Sequence, residues 1–156
     1  AARGGAARVT AVDVSEFAVE CARENAARNG LSQVVDCMAA NVFDLLPQLQ
    51  KGQYDFIILD PPAFTKSRQT TQRAMAGYKE INYRAMRLLP RGGYLATCSC
   101  SHFATEELFR KMLHAAAHDA GVQLRQIEAR QQSADHPILW GVEETSYLKF
   151  YLFQVV

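Results

Sequence analysis

The sequence of 156 residues has no long apolar run, little glycine and proline, and few cysteines. No apolar stretch approaches the ~20 residues that a transmembrane helix needs, so we expect no membrane partner. With 9 glycines and 5 prolines, the chain is neither collagen-like nor a low-complexity linker. The first residues also lack the apolar core and cleavage pattern of a signal peptide. These absences, together with 49% hydrophobic residues, indicate a single globular domain over residues 1–156.

Cysteine is scarce, and its spacing excludes the common cysteine-based frameworks. No CxxC pair occurs among the four cysteines, so we expect neither a disulfide framework nor a structural metal site. The thiols are therefore expected to be reduced, which places the protein in the cytoplasm. The four are Cys21, Cys37, Cys98 and Cys100.

The net charge of +1 is small, but positive charge is concentrated in one segment. Residues 61–91 hold seven basic residues and one acid, 7 − 1 = +6, whereas the rest holds 10 basic and 15 acidic residues, 10 − 15 = −5. Such a segment is typical of a surface that binds a polyanion, and it is equally typical of a solvated helix face. Charge alone leaves both interpretations open.

Strands and helices alternate along most of the chain. This alternation predicts an α/β fold with a doubly wound, mainly parallel, Rossmann-like sheet. Two final alternating segments without a helix between them predict an antiparallel hairpin at the sheet edge. The predicted strands cover 8–13, 34–38, 54–60, 94–98, 122–129 and 147–155. We expect the first of them to be buried. The predicted helices cover 16–28, a short segment after Asn41, 74–89 and 105–120.

Polar residues follow each of the first four predicted strands. In a doubly wound sheet the ligand lies at the carboxyl ends of the strands, so we expect these residues at one edge. An acid there can accept hydrogen bonds from ribose hydroxyls, a rigid Pro-Pro turn can present an acid to a base, and a strand-end thiol can act as a nucleophile. Each feature alone is also common as a surface acid, a turn or a structural cysteine. They are Asp13, Asn41, Asp60-Pro61-Pro62 and Cys98-Ser99-Cys100-Ser101.

In combination, the motifs VDVS (12–15), DFIILDPPAF (55–64) and TCSCS (97–101) resemble those of methyltransferases that use S-adenosylmethionine. The sequence is most similar to the RlmI-like bacterial large-subunit ribosomal RNA cytosine-C5 methyltransferases. Further matches lie at 77–82, 133–137 and 147–149, so the resemblance covers essentially the whole chain.

The resemblance implies an S-adenosylmethionine cofactor, a ribosomal RNA substrate and a role for each matched residue. Cys100 would be the nucleophile that adds to the cytosine ring, assisted by Asp60, whereas Cys98 falls at a non-catalytic position. Lys149 is expected at a strand end near the RNA path. The cofactor would be bound by Asp13, Val14, Asn41, Val42, Asp60 and Pro61, and RNA by Phe64, Lys66, Arg68, Arg73 and Lys79.

Two other functions stay open at this point. Methylation of an exocyclic amine needs no cysteine and favours an aromatic residue directly after Pro-Pro, whereas here Ala63 separates Pro62 from Phe64. A non-catalytic module that binds RNA or a partner is the second alternative.

The sequence departs from the family pattern at its start. The first strand and glycine-rich loop of these enzymes have no counterpart, so we expect an N-terminally truncated fragment, an incomplete catalytic domain that binds S-adenosylmethionine weakly or not at all. The sheet edges left unpaired would then pair directly, or a homodimer or strand-swapped oligomer would supply the missing strand.

Overall fold

A computed structural model describes residues 1–64 and 68–156, with only the backbone of Arg68. These residues form two compact units, unit 1 (Ala1–Gln48) and unit 2 (Leu49–Val156). The assignment of all 156 residues to a single domain stays a prediction. No helix in the described part of the chain has both the length and the apolar character needed to cross a membrane.

Unit 1 contains two parallel strands with a helix between them. After a short 3-10 turn at Ala2–Gly4, the elements are β1 (Val9–Asp13), α1 (Glu16–Arg28), β2 (Val35–Ala39), α2 (Val42–Leu45) and a 3-10 turn at Leu46–Gln48. The strands pair in register from Val9 opposite Val35 to Asp13 opposite Ala39. The prediction that β1 is buried is wrong, because within unit 1 the strand belongs to a sheet of only two strands and its residues are half-buried or exposed.

Local signals determine where α1 begins and ends. The Ser15 hydroxyl accepts a hydrogen bond from Ala18 N at 3.2 Å, which satisfies one of the free amides of the first turn. Gly30, with φ of 68°, takes the left-handed conformation that ends the helix after its cap at Asn29. The predicted bounds of this helix are confirmed.

Unit 2 contains one mixed sheet and two long helices. Its main elements are β3 (Phe56–Leu59), α3 (Thr71–Leu88), β4 (Tyr94–Ser99), α4 (Glu106–Ala120), β5 (Leu124–Arg130) and β6 (Lys149–Val155), with 3-10 turns at Arg68–Thr70 and Glu143–Thr145. The strand order is β3-β4-β6-β5. β3 and β4 are parallel, and β6 is antiparallel to both β4 and β5. The antiparallel C-terminal pair is confirmed, but of these two strands β5 lies at an edge of the sheet and β6 lies inside it.

The core of unit 2 lies around α3, α4 and the two central strands. Tyr78 of α3 meets Phe109 of α4 edge-on at 5.7 Å between ring centroids, and Phe109 in turn stacks on Tyr151 of β6 at 6.2 Å. Burying one such ring stabilises a fold by roughly 1.5–3 kcal/mol relative to leaving it exposed. Because β4 is flanked on both sides, all its residues from Leu95 to Ser99 are buried.

Candidate active site

In unit 1, Asp13 and Asn41 lie close to the carboxyl ends of adjacent parallel strands. Asp13 is the last residue of β1, and its carbonyl accepts a hydrogen bond of 2.9 Å from Ala40 N, just after β2. The Asp13 carboxylate accepts a hydrogen bond of 2.8 Å from Ser15 N through Oδ1. The Asn41 side chain caps α2 by accepting from Phe43 N at 3.0 Å. Asp13 and Asn41 therefore lie at the carboxyl ends of neighbouring strands of unit 1, as predicted.

Apolar surface lies next to the Asp13 carboxylate. Val14 follows it in the chain and is 77% exposed, and Phe17 in the first turn of α1 is 79% exposed. Val42 begins α2 and is half-buried. An exposed carboxylate beside exposed apolar side chains can accept hydrogen bonds from sugar hydroxyls while the apolar groups contact a planar base.

In unit 2, Asp60 and Cys100 follow the neighbouring parallel strands β3 and β4. Leu59 pairs with Thr97, so both strands end at the same edge of the sheet. Asp60 comes directly after β3 and is exposed, and Cys100 comes directly after β4 and is half-buried. Pro61 is half-buried beside Asp60. That Asp13, Asn41, Asp60 and Cys100 all share one edge stays a prediction.

Cys98 and Cys100 differ sharply in environment. Cys98 lies inside β4 and is only 9% exposed. Burial, reinforced by the negative charges of Asp60 and Cys100, raises the pKa of the Cys98 thiol to about 11. Because the thiolate is the reactive form, Cys98 is inert at neutral pH. The expectation that Cys98 is the buried member of the pair is confirmed.

The backbone on either side of Cys100 is held by buried serines. Ser99 and Ser101 are both almost fully buried, and Ser101 N donates to the Ser99 hydroxyl at 3.4 Å. The Ser99 hydroxyl donates to Tyr78 Oη at 3.1 Å. The thiol of Cys100 is thus more accessible than either neighbour, on a backbone that the core holds in place.

Tyr78 connects the segment after Asp60 to the end of β4. Its hydroxyl hydrogen-bonds Ser99 and the backbone of Phe64, and its ring lies 4.6 Å from the Phe64 ring. Burial raises the pKa of Tyr78, and the two hydrogen bonds act in the opposite direction. From the sequence we assigned Tyr78 no role.

Lys149 lies at a strand end, as expected, but the sequence analysis missed its burial. It begins β6, pairs with Ser99 and is only 8% exposed. Its ammonium donates hydrogen bonds to the carbonyl oxygens of Ser101 at 2.6 Å and Tyr147 at 2.7 Å. Burial lowers the pKa of Lys149 to about 8, an effect opposed by the negative charges of Cys100 and Glu106. The strand pattern held the signal, because Lys149 shares the buried face of β6 with Tyr151, Phe153 and Val155.

The predicted RNA-binding residues are in different environments. Phe64 is half-buried against Tyr78, and Arg73 is exposed on α3. Lys79 forms an ion pair of 2.6 Å with Asp119 of α4. Lys66 and the side chain of Arg68 lie outside the described residues. The RNA-binding role of all five stays a prediction.

Residues 1–123 match the family model described as the methyltransferase small domain. The chain belongs to this family. The methyltransferase family expected from the motifs is therefore confirmed. In residues 1–64 and 68–156, no group of three or more histidine, cysteine or acidic side chains could hold a metal ion.

Two sequence relatives of this methyltransferase domain carry the same name. A protein of Klebsiella pneumoniae named "Ribosomal RNA large subunit methyltransferase I" is 40% identical over 98% of this chain and 39% of its own length. A protein of Shewanella amazonensis with the same name is 45% identical over 96% of this chain and 38% of its own length. The resemblance described above is confirmed, and the chain spans about 39% of the length of such relatives.

Solved structures show the same fold. The methyltransferase SMU.776, crystallised with SAH, superposes with a TM-score of 0.83 at 21% identity, over 99% of this chain and 40% of its own. TrmN from Thermus thermophilus superposes with a TM-score of 0.63 at 24% identity, over 96% of this chain and 36% of its own. The predicted α/β methyltransferase fold is confirmed.

Proposed function

We propose that this protein transfers a methyl group from S-adenosylmethionine to carbon 5 of a cytosine in large-subunit ribosomal RNA, with Cys100 as the covalent nucleophile. The observation that carries the proposal is the accessible thiol directly after β4, next to a cysteine that burial makes inert. The name shared by relatives about 40% identical supports ribosomal RNA as the substrate. The structure neighbour crystallised with SAH supports this cofactor class.

The residues of unit 1 fit the nucleoside part of such a cofactor. The exposed Asp13 carboxylate suits two ribose hydroxyls, since one of its oxygens is already oriented by Ser15 N. The Asn41-Val42 turn, at the end of the neighbouring strand, would meet the adenine ring, and the exposed Val14 offers further apolar surface to the cofactor. Asp60 and Pro61 of unit 2 would lie near its methionine end. When bound, the cofactor supplies an electrophilic methyl group.

Carbon 5 of cytosine is a poor nucleophile, and the addition of Cys100 to the ring increases the electron density at that carbon. The thiolate forms a carbon–sulfur bond at carbon 6, and the electron pair of the 5,6 double bond moves toward carbon 5. After carbon 5 has been methylated, its proton is lost to a base and the carbon–sulfur bond breaks. These steps restore the double bond and the Cys100 thiolate.

In this proposal, Asp60 assists the cytosine ring during addition. Asp60 follows β3 at the edge of the sheet where Cys100 follows β4. Its negative charge helps to raise the pKa of Cys98, which lies inside β4. As an acid it can share a proton with the ring nitrogen of the cytosine and so stabilise the charge that develops there.

The RNA must present the target base outside its stack, which is easier in a loop or bulge than in a duplex. We propose that Phe64 contacts the base and that Lys66, Arg68, Arg73 and Lys79 contact phosphates. For Lys79 this contact competes with its ion pair to Asp119.

The test is to incubate the protein with large-subunit ribosomal RNA and with S-adenosylmethionine at a concentration high enough to offset the weak cofactor binding expected from the sequence. The methylated nucleoside is then identified by mass spectrometry. We expect 5-methylcytidine, with at least about a thousandfold slower formation in Cys100→Ser. Cys21→Ser, in α1 of unit 1, is the matched control and should stay close to the parent rate.

Each other outcome overturns part of the proposal. Methylation of an exocyclic amine, unaffected by Cys100→Ser, would favour the amine chemistry. Binding of both the RNA and S-adenosylmethionine with no methylated nucleoside would favour a non-catalytic RNA-binding module.

A further inference from the structure

Lys149 places a cation inside the protein beside the segment that carries Cys100. Lysine is almost never fully buried unless it is paired, yet Lys149 is only 8% exposed. Among the described residues its ammonium hydrogen-bonds two neutral carbonyls, those of Ser101 and Tyr147. These bonds orient the side chain without neutralising its charge.

The hydrogen bond to Ser101 acts directly on the backbone next to the nucleophile. Ser101 follows Cys100, and its carbonyl oxygen lies 2.6 Å from Lys149 Nζ. On the other side of Cys100, Ser99 is held by Tyr78 through their hydroxyls at 3.1 Å. Lys149 and Tyr78 therefore hold the chain on the two sides of Cys100.

Among the residues that the structure describes, two groups favour the charged form of Lys149 when they carry negative charge. They are Cys100, from the end of β4, and Glu106, from the start of α4. Glu106 also accepts a hydrogen bond of 2.8 Å from the Tyr151 hydroxyl. Burial lowers the pKa of Lys149 to about 8, and the Cys100 charge opposes that effect more than Glu106 does. Lys149 is therefore mostly charged at pH 7 and mostly neutral well above pH 8.

Electrostatic coupling between two sites is reciprocal. The Lys149 ammonium is held on the Ser101 carbonyl, one residue from Cys100, so its positive charge attracts negative charge that develops on the Cys100 sulfur. A thiolate near a lysine in a partly buried site is the environment that makes cysteines reactive at neutral pH.

We infer that Lys149 is a positioning residue for the nucleophile: it anchors the Ser101 carbonyl and supplies the positive charge that stabilises the Cys100 thiolate. This inference rests on the proposed role of Cys100. It assigns Lys149 to the activation of the thiol instead of to RNA contact.

The first test measures the alkylation of Cys100 by iodoacetamide in the full chain, resolved by tandem mass spectrometry. Lys149→Met removes the charge and retains an unbranched apolar side chain. We expect alkylation at pH 7.0 to be roughly three- to tenfold slower in this variant. At pH 9.5, where Lys149 is neutral in the parent protein, the two rates should agree within about twofold.

Two internal references accompany this measurement. Lys111→Met makes the same change at an exposed position of α4 and should alkylate like the parent. Cys98 reports on loss of structure, because it becomes reactive only if β4 opens. Equal slowing at both pH values would indicate a purely structural role and would overturn the electrostatic part of the inference.

The second test does not require any Lys149 variant to fold. With lysine labelled at its ε-carbon, NMR follows the protonation of Lys149 directly. We expect Cys100→Ala to lower the midpoint of this titration below its parent value of about 8, because the opposing anion is lost. Cys37→Ala, in β2 of unit 1, should leave the midpoint unchanged. An unchanged midpoint in Cys100→Ala would overturn the inference.

Failure of the inference and failure of the proposed function give different results. Normal 5-methylcytidine formation with unchanged alkylation in Lys149→Met would reject the role of Lys149 and leave the function in place. If both tests show the expected coupling between Lys149 and Cys100 but the protein forms no 5-methylcytidine, the proposed function is rejected and the role of Lys149 stands.

Discussion

At the scale of residues, the end of β4 separates two cysteines that are only two positions apart. Cys98 is packed inside the strand, where burial and nearby negative charge raise the pKa of its thiol to about 11. Cys100 lies one residue beyond the strand and is half-buried between serines that are almost fully buried. The same segment thus contains one inert thiol and one accessible thiol.

The raised pKa of Cys98 predicts a specific dependence of stability on pH. Its pKa in the folded protein lies above its ordinary value of 9.0, so its contribution to stability is fully present below pH 9 and is lost as the pH rises toward 11. We expect the parent to lose about 2 kcal/mol more free energy of unfolding than Cys98→Ala between pH 8.5 and 11. Lys149 and the tyrosines are common to both proteins, so their effects largely cancel.

Urea unfolding at a series of pH values provides this measurement. A difference in unfolding free energy that stays constant between pH 8.5 and 11 would show that Cys98 ionises equally in the folded and unfolded protein.

The sequence predicted which of the two thiols is buried and which is accessible, but it did not predict that Lys149 and Tyr78 hold the segment around Cys100. Residues two apart on a strand share a face, and the strand was expected to end near Cys98, so Cys100 was expected at the accessible tip. The alternation of β6 carries a signal that Lys149 is buried, but its place beside the Cys100 segment could not be predicted, because it depends on β6 pairing with β4 some fifty residues earlier in the chain. The hydroxyl contact between Tyr78 and Ser99 is long-range for the same reason.

At the scale of elements, caps and turns made the helices predictable, whereas strand order was not. The predicted helices 16–28 and 105–120 differ from α1 and α4 by at most one residue, because Ser15 and Thr105 cap them and Gly30 and Gly121 follow them. β3 is shorter than the predicted 54–60. The insertion of β6 between β4 and β5 depends on side-chain packing across the sheet, which local patterns do not encode.

The N-cap of α4 is the element with the clearest mutational test. The Thr105 hydroxyl accepts a hydrogen bond of 3.3 Å from Leu108 N, and this helix carries the buried Phe109. We expect Thr105→Ala to reduce the free energy of unfolding by about 1 kcal/mol, and Thr105→Ser to retain most of it. Chemical denaturation of the three proteins checks this, and equal loss in both variants would show that the hydroxyl is not the stabilising group.

At the scale of the whole molecule, the proposed function draws on both compact units. The candidate ribose and adenine contacts, Asp13 and Asn41, belong to unit 1, whereas Asp60 and Cys100 belong to unit 2. The family was predictable from the sequence because these residues follow successive strands in a fixed order.

The most direct measurement of the central claim is covalent trapping with ribosomal RNA in which cytidine is replaced by 5-fluorocytidine. Fluorine at carbon 5 cannot leave as a proton, so the carbon–sulfur bond formed by the nucleophile should persist after methylation. With S-adenosylmethionine present, we predict a stable protein–RNA adduct that peptide mass spectrometry maps to Cys100, that is lost in Cys100→Ser and that is retained in Cys21→Ser. An adduct at another residue, or conversion of ordinary RNA to 5-methylcytidine by Cys100→Ser at the parent rate, would contradict the account.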